Sequence, residues 1–230
     1  KTHCTPTINL TVEFKKKFPR IKVRTVIGDI RDVGLVRKIF TSWRPQVVFH
    51  AAAHKHVPLM EDSPAAAAKN NIFGTRNMIY ACHHYHVERF VLISTDKAVN
   101  PINVMGMSKR VAEMILQSRA AHSAHTKFMA VRFGNVLGSA GSVVPLFKQQ
   151  IEEGGPITIT HPDVKRYFMS IHEAVMLVLQ AGAQGKGGEF FILDMGEQIK
   201  VIDLAKSLVA LSGLTLGKDI ELKIIGLRPG

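Results

Sequence analysis

Residues 89–110 read RFVLISTDKAVNPINVMGMSKR, and this stretch decides the predicted fold. Residues 89–95 form an apolar run rich in branched side chains, which is typical of a strand that is covered on both faces of a parallel sheet. A polar segment follows, and after Gly106 apolar residues recur at helical spacing. The stretch therefore predicts a strand, a polar turn and a helix in direct succession.

Four further apolar runs alternate with helical patterns along the chain. They are IKVRTVIGD (21–29), QVVFHAAA (46–53), KFMAVRFGN (127–135) and EFFILDM (189–195). Helix start signals and apolar stripes predict the helices that separate them, which begin after Asp32, Ser63 and Gly106 or lie near 171–182 and 200–212. This alternation predicts an α/β fold with a Rossmann-like, doubly wound parallel sheet.

The pattern changes near residue 136, where Gly and Pro interrupt the sequence. We therefore assign residues 1–135, together with about 171–195, to the sheet domain, and residues 136–170 and 196–230 to a smaller region. In open α/β sheets, ligands bind at the carboxyl ends of the strands. The smaller region is expected to pack over those ends.

One element of a dinucleotide-binding sheet is missing from the sequence. Such a sheet normally opens with a strand, a G-x-G-x-x-G turn and a helix that holds the pyrophosphate. This fingerprint is absent here. Either the chain lacks its first βαβ unit or it does not bind a nucleotide.

Composition narrows the class of protein. The chain has 230 residues, two cysteines and a formal net charge of +12. The two cysteines lack metal-ligand spacing and fit a reducing, cytoplasmic compartment. The basic residues lack zinc-finger spacing and interleaved aromatic residues, so no nucleic-acid partner is predicted. They are interpreted as mostly solvated Lys and Arg on helix faces.

Two pairs of residues in the opening stretch suggest chemistry. Met105 and Lys109 are four apart, so they project from one face of the predicted helix. Short-chain dehydrogenases carry Tyr and Lys at such a pair, whereas a thioether has no proton to exchange. Asp96 and Lys97 offer a carboxyl group and an amine that suit an elimination. The alternative is that Asp96 caps a turn and Lys97 is a solvated surface residue.

Three histidines, His50, His54 and His56, cluster around the second apolar run. No carboxylate or cysteine completes a metal-ligand set, so no metal site is predicted. His56 is interpreted as a substrate contact or as a buried, hydrogen-bonded histidine.

Several motifs resemble one family of enzymes. They are FHAAAHKHVPLME, NIFGTRN, STDKAVNPINVMGMSKR, VRFGNVLGSAGSVVPLFKQQI and RYFMSIHEA. In this order they resemble the capsular-polysaccharide type of nucleotide-sugar 4,6-dehydratases, which are extended short-chain dehydrogenase/reductases acting on UDP-N-acetylglucosamine. One branch of that family has Met in place of the catalytic Tyr, and Met105 places the chain in that branch.

The resemblance implies roles for individual residues. Thr95, Asp96 and Lys97 match the catalytic trio, and Lys109 would hold the nicotinamide ribose. The other implied cofactor-binding residues are Asp29, Ile30, Ala51, Ala52, Ala53 and Asn71. The implied substrate-binding residues are Lys55, His56, Asn135, Val143, Val144, Pro145, Arg166 and Arg228. The cofactor would be NAD or NADP, with NAD favoured, and the implied partners are a UDP-sugar and further copies of the chain in a homo-oligomer.

The implied reaction has three steps. C4 of the sugar is oxidised while Asp96, with Thr95, takes the hydroxyl proton; Lys97 then removes the C5 proton and water leaves from C6; hydride finally returns to C6. Three alternatives stay open: a nucleotide-sugar 4-epimerase, a non-catalytic NAD(P)-binding or scaffold relative, and an inactive truncated fragment. The missing fingerprint and the final LRPG predict a portion of a longer polypeptide whose upstream region is membrane-anchored.

Overall fold

The structure is a computed structural model that describes residues 5–139 and 141–227, with side-chain environments from residue 11 onward. The α-helices are α1 (Thr5–Lys17), α2 (Val33–Trp43), α3 (Val57–Asp62), α4 (Pro64–Ala67), α5 (Thr75–His84), α6 (Val104–Ala120), α7 (Val143–Glu152), α8 (Ile171–Gln184) and α9 (Val201–Leu211). The strands are β1 (Val47–His50), β2 (Arg89–Ile93), β3 (Lys127–Arg132), β4 (Asn135–Val136), β5 (Ile157–Ile159), β6 (Lys165–Arg166), β7 (Phe168–Met169), β8 (Phe190–Ile192), β9 (Ile199–Lys200) and β10 (Leu222–Ile224). A π-helical segment (Ala68–Gly74) joins α4 to α5, and a 3₁₀ turn (Asp96–Ala98) follows β2.

A parallel sheet of four strands, in the order β1-β2-β3-β8, forms the centre of the molecule. Arg89 of β2 lies opposite Val47 on one side and Lys127 on the other, so β1, β2 and β3 start in register. The α/β class and the parallel sheet predicted from the alternating pattern are confirmed.

Helices cover both faces of this sheet, as expected of a doubly wound fold. Phe90 and Leu92 of β2 point to the face that packs against α2, α5 and α6, whereas Val91 points to the face that packs against α8. All three side chains are fully buried. Burial on both faces explains why residues 90–93 of β2 are all apolar.

A separate apolar core lies in the C-terminal half of the chain. It joins α7, α9 and the β5–β10 pair through buried side chains, namely Phe147, Ile157, Ile159, Ala205, Val209 and Ile220. This core is distinct from the two that flank the main sheet. The residues between it and the strand ends form the wall of the cavity described below.

Two of the three helix starts are confirmed, whereas α6 begins at Val104, before Gly106, with Asn103 as its cap. The Asp32 carboxylate accepts a hydrogen bond of 3.0 Å from the backbone N–H of Leu35 at the start of α2. Helix α4 begins at Pro64. Cys82, interpreted from the helical stripe as a core residue, is fully buried, and burial raises the pKa of its thiol.

The strand predicted over residues 21–29 is wrong. This segment runs without regular secondary structure and leaves Val26 40% and Ile27 75% exposed. An extended segment becomes a strand only when a neighbour pairs with its N–H and C=O groups, and none of the described strands pairs with it. Asp29 and Ile30 therefore do not follow a strand end.

Among the described residues, no helix is both long and apolar enough to cross a membrane.

Candidate active site

A cavity of about 600 Å³ opens at the carboxyl ends of the central strands. Its wall comes from the segments that follow β1, β2 and β3, from the first turns of α6 and α7, and from the C-terminal region. Predicted site residues that line it are Ala51, Ala53, Lys55, His56, Thr95, Lys97, Met105, Lys109, Asn135, Val143, Val144 and Arg166. The strand-end rule thus located the cavity from sequence.

Thr95, Asp96 and Lys97 form one hydrogen-bonded group directly after β2. The Thr95 hydroxyl donates to Asp96 Oδ1 over 2.9 Å, and Lys97 Nζ donates to the same oxygen over 2.9 Å. The Thr95 hydroxyl also accepts a 3.3 Å bond from the Lys97 backbone N–H, which begins the 3₁₀ turn. A hydroxyl, a carboxylate and an amine are therefore linked in one hydrogen-bonded group. Thr95 and Lys97 line the cavity, whereas Asp96 lies outside its wall.

The first turn of α6 packs against this group. The Asn103 side chain caps the helix by accepting a 2.8 Å bond from the Gly106 N–H. A Cβ atom on Gly106 would collide with the backbone carbonyl oxygen of Lys97. Glycine at this position therefore allows the close approach between α6 and the 3₁₀ turn.

Met105 and Lys109 share the face of α6 that borders the cavity, as the spacing predicted. Each is 5% exposed. Met105 packs with Met60 and Ala67, whereas Lys109 Nζ donates a 2.6 Å bond to the Ile93 carbonyl. Burial lowers the pKa of Lys109 to about 8, and the charge of Glu113 opposes this shift. A lysine with this pKa is close to half-protonated near pH 8.

Asn71 is buried, lies outside the cavity wall, and bonds both to the segment after β1 and to α6. Its side chain accepts a 2.8 Å bond from the His54 N–H and donates to the His54 carbonyl over 3.0 Å. It also donates a 2.9 Å bond to the Ser108 hydroxyl on α6. Asn71 therefore holds the segment after β1 against α6, and its assignment to cofactor binding stays a prediction.

Of the other residues predicted to bind the cofactor, some line the cavity and some lie outside its wall. Ala51 and Ala52 are exposed at the end of β1, although Ala52 is outside the cavity wall. Asp29 also lies outside this wall, and it accepts hydrogen bonds of 2.9 Å from Arg31 Nε at both carboxylate oxygens. These bonds lower the pKa of Asp29 to about 2. Ile30 packs against Gly74.

The substrate residues gather around the start of α7. Val143 and Val144 line the cavity in the first helical turn, beside Ser142, whose buried hydroxyl has no hydrogen-bond partner among the described residues. Pro145 belongs to the same turn but not to the wall. Lys55 Nζ reaches the Ser139 hydroxyl over 3.4 Å. Arg228 lies outside the described residues.

The three clustered histidines have separate environments. His50 is buried and its Nε2 is 2.9 Å from the Thr75 hydroxyl, whereas His54 and His56 line the cavity. Burial, with the nearby charge of Lys109, lowers the pKa of His50 to about 3, so this ring is neutral. Within the part of the chain that the structure describes, no three His, Cys, Asp or Glu side chains come together as metal ligands.

Sequence reasoning missed several residues at the site. Phe133 and Gly134 line the cavity immediately after β3, where the strand-end rule should have included them. Ser142 also went unnoticed, although Ser before a helix is a start signal. Glu113, a buried residue of α6 behind the site, was missed as well, because its partners Ser94 and Arg132 are distant from it in sequence.

The chain is similar in sequence to three proteins of named function. The chain is 55% identical over 211 residues to the capsular polysaccharide biosynthesis protein CapD of Staphylococcus aureus, a match that covers 92% of this chain and 35% of CapD. It is 37% identical over 212 residues to a UDP-N-acetylglucosamine 4,6-dehydratase (inverting) of Campylobacter jejuni, covering 90% of this chain and 60% of that protein. It is 39% identical over 212 residues to a UDP-glucose 4-epimerase of Rickettsia rickettsii, covering 91% and 60%.

Among solved structures, Pen from Bacillus thuringiensis matches with a TM-score of 0.89 and 39% identity, covering 97% of this chain and 68% of that one. This match confirms the Rossmann-like fold. The family described as polysaccharide biosynthesis protein matches residues 5–230. The chain, which spans about a third of CapD and 60% of each of the other two relatives, therefore belongs to this polysaccharide biosynthesis protein family.

Proposed function

We propose that the chain carries the catalytic centre of an NAD(P)-dependent nucleotide-sugar 4,6-dehydratase acting on UDP-N-acetylglucosamine. The observation that carries this proposal is the hydrogen-bonded group of Thr95, Asp96 and Lys97, in which Thr95 and Lys97 line the cavity and Asp96 is bonded to both of them. A dehydration needs a group that removes a carbon-bound proton and another that protonates the leaving hydroxyl. The amine and the carboxyl group of this turn supply both.

The residues after β1 and Lys109 on α6 fit the nicotinamide half of an NAD(P) cofactor. The alanines after β1 leave the backbone accessible, and Lys109 offers a buried cation at the same edge of the sheet. Ala51, Ala53 and Lys109 would hold the nicotinamide ribose half of the molecule. When bound, a nicotinamide cofactor supplies reversible hydride transfer. NAD is favoured over NADP.

Proton transfer during oxidation at C4 is assigned to Thr95 and Asp96. The Thr95 hydroxyl donates its own proton to Asp96 Oδ1, so its oxygen is free to accept a proton from the sugar hydroxyl. The proton from the hydroxyl thus moves to the carboxylate through one side chain. Met105 takes no part, because a thioether has no proton to exchange.

The elimination is assigned to Lys97 and Asp96. The ketone at C4 acidifies the C5–H bond, and Lys97 removes that proton. Lys97 must enter this step as the uncharged amine that donates a hydrogen bond to Asp96, not as an ammonium ion. Asp96 then gives the proton that it received to the C6 hydroxyl, and the C6–O bond breaks to release water. Lys97 returns a proton to C5 as the hydride returns to C6. The sum is the loss of one water, with the cofactor restored.

The test is to incubate the chain with NAD and UDP-N-acetylglucosamine and to follow the 4-keto product by its absorbance in alkali. We expect product from the wild type, none from Lys97→Ala, and wild-type amounts from Lys38→Ala, which removes an exposed lysine of α2. Tight binding of the UDP-sugar without any product would contradict the proposal.

A second candidate, a nucleotide-sugar 4-epimerase, is favoured by the 39% identity to the Rickettsia protein. An epimerase reverses the configuration at C4 and leaves the C5–H bond intact. In D₂O, a dehydratase incorporates deuterium at C5 and an epimerase does not. Mass spectrometry and NMR of the product therefore separate the two candidates.

A further inference from the structure

Glu113 is a charged side chain with no exposed surface in the middle of α6. Its Oε1 accepts a 2.6 Å bond from the Ser94 hydroxyl and a 2.8 Å bond from Arg132 Nε. Its Oε2 accepts a 2.6 Å bond from Arg132 Nη2 and a 3.2 Å bond from Arg110 Nη1. A buried carboxylate is tolerated only when it is paired and hydrogen-bonded in this way.

These bonds connect three elements that carry the candidate active site. Lys109 and Glu113, one helical turn apart on α6, bond to Ile93 and Ser94, which are consecutive residues at the end of β2. Ser94 directly precedes the catalytic group 95–97. Arg132 is the last residue of β3, directly before the cavity residues 133–135.

We infer that Glu113 is a positioning residue for the candidate active site: it fixes the ends of β2 and β3 against α6 and places a negative charge one turn from Lys109. The inference rests on the proposed function only in treating Lys109 as a cofactor ligand. The bonds themselves do not depend on the reaction.

Stability alone gives little reason for this arrangement. Replacing a buried ion pair by apolar residues of similar volume is often neutral or stabilising, because desolvation of the charges offsets their attraction. Van der Waals packing between α6 and β2 is already supplied by Ala112 and Leu116. What apolar residues would not supply is the charge next to Lys109.

The electrostatic consequence concerns the proton on Lys109. Burial lowers the pKa of Lys109 and the Glu113 carboxylate raises it. Burial also raises the pKa of Glu113, but hydrogen bonds from Arg132, Ser94 and Arg110 outweigh burial and keep this pKa below its ordinary value. Glu113 is therefore charged wherever Lys109 titrates, and removing its charge should make Lys109 lose its proton at a lower pH.

The other ionisable groups around Lys109 do not replace this effect. His50 on β1 is neutral, and Arg132 on β3 is paired with Glu113. Asp96 and Lys97 after β2 are paired with each other. Glu113 is thus a negative charge near Lys109 that is bonded to Ser94, Arg132 and Arg110 and does not line the cavity.

The test is the pH dependence of unfolding by urea between pH 6 and pH 10. With a folded pKa of about 8 and an ordinary value of 10.5, the unfolded state binds more protons than the folded state between those values. Wild-type stability should therefore rise with pH from about 8 to about 9, and Lys109→Met should abolish the rise. Above the ordinary thiol pKa of 9.0, the buried Cys82 opposes the rise, because burial raises its pKa in the folded state. In Glu113→Gln the rise should begin about one pH unit lower. Arg110→Gln, which removes a half-exposed partner of the same carboxylate, should keep the wild-type onset.

An unchanged onset in Glu113→Gln would overturn the inference. If that variant does not fold, the double variant Glu113→Gln/Arg132→Met is measured in the same way, because it leaves neither partner of this buried pair charged. A wild-type onset in the double variant would also overturn the inference.

A parallel measurement with NAD separates this inference from the proposed function. If NAD gives the wild type no added stability at any pH, cofactor binding fails and the onset still decides the role of Glu113. If NAD stabilises the wild type, we expect this effect to weaken as pH rises through about 8, and to weaken at lower pH in Glu113→Gln.

Discussion

Gly106 of α6 lies directly against the backbone carbonyl oxygen of Lys97, so the helix that carries Lys109 and the turn that carries Asp96 and Lys97 are packed as one unit. Both sides of this contact are backbone atoms, so a change of side-chain rotamer cannot relieve a clash there. The relative position of the amine at residue 97 and the cation at residue 109 follows from it.

Gly106→Ala should test this packing. The added methyl group must displace either the turn or the helix, and overpacking of this kind costs about 1–3 kcal/mol. We expect a loss of that size in the free energy of unfolding by urea, together with reduced turnover. Gly34→Ala is the control: Gly34 is an exposed position of α2, and the atom nearest to an added Cβ is an Asp32 oxygen at 3.3 Å. This change should alter stability by less than about 1 kcal/mol. Wild-type stability and turnover in Gly106→Ala would show that the contact is not needed.

Asp96→Asn should remove proton transfer and preserve shape. An amide accepts hydrogen bonds from Thr95 and Lys97 but does not exchange a proton with substrate. We expect a loss of about a hundredfold or more in formation of the 4-keto product. Asp203→Asn, which alters an exposed Asp–Lys pair on α9, is the matched control and should keep wild-type turnover. Equal rates for the two variants would exclude Asp96 from the chemistry.

Met105→Leu should retain activity. Met105 is buried against Met60 and Ala67, and the proposed mechanism uses only its volume. A swap of similar volume usually costs less than about 1.5 kcal/mol. Turnover and urea unfolding should both stay close to those of Met114→Leu, a change at a 54% exposed position of the same helix. A large loss of turnover in Met105→Leu alone would mean that the sulfur takes part.

His50 should make the fold sensitive to acid. Its pKa is about 3 in the folded protein because burial and the charge of Lys109 disfavour the protonated ring. The ordinary value is 6.5, so the unfolded state binds more protons between pH 6.5 and pH 3 and stability falls as pH falls through that window. The slope from this group is at most about 1.4 kcal/mol per pH unit.

The variant that tests this is His50→Gln, which keeps a partner for Thr75 and should flatten the dependence in urea unfolding. Thr75→Val removes the hydroxyl and should lower stability by about 1 kcal/mol without removing the acid dependence. An unchanged slope in His50→Gln would assign the acid sensitivity to other groups.

The sequence predicted the features that depend on local pattern. The strands around 47–50, 89–93 and 127–132, the start of α2 at Asp32 and the shared face of Met105 and Lys109 all follow from periodicity and capping. The strand-end rule placed Thr95, Lys97 and Asn135 at one cavity because parallel strands end at one edge of a sheet.

Features that depend on tertiary partners could not be predicted in this way. The run at 21–29 has the composition of a strand, but pairing decides whether a strand forms and none of the described strands lies beside it. Glu113 looks like a solvated helix residue until Ser94 and Arg132, distant in sequence, are seen to contact it. The close approach of Gly106 to Lys97 could not be predicted from the sequence either, because it depends on the angle between α6 and the preceding turn.

The outer side of β1 has a practical consequence for handling the protein. Among the described strands only β2 pairs with Val47–His50, so the other edge of β1 has no strand partner within the described residues. A bare strand edge of this kind recruits other extended chains, so concentrated solutions should aggregate first through β1. A lysine at Val47, which is 42% exposed, would add charge repulsion at that edge and should keep the protein monodisperse in light scattering at higher concentrations.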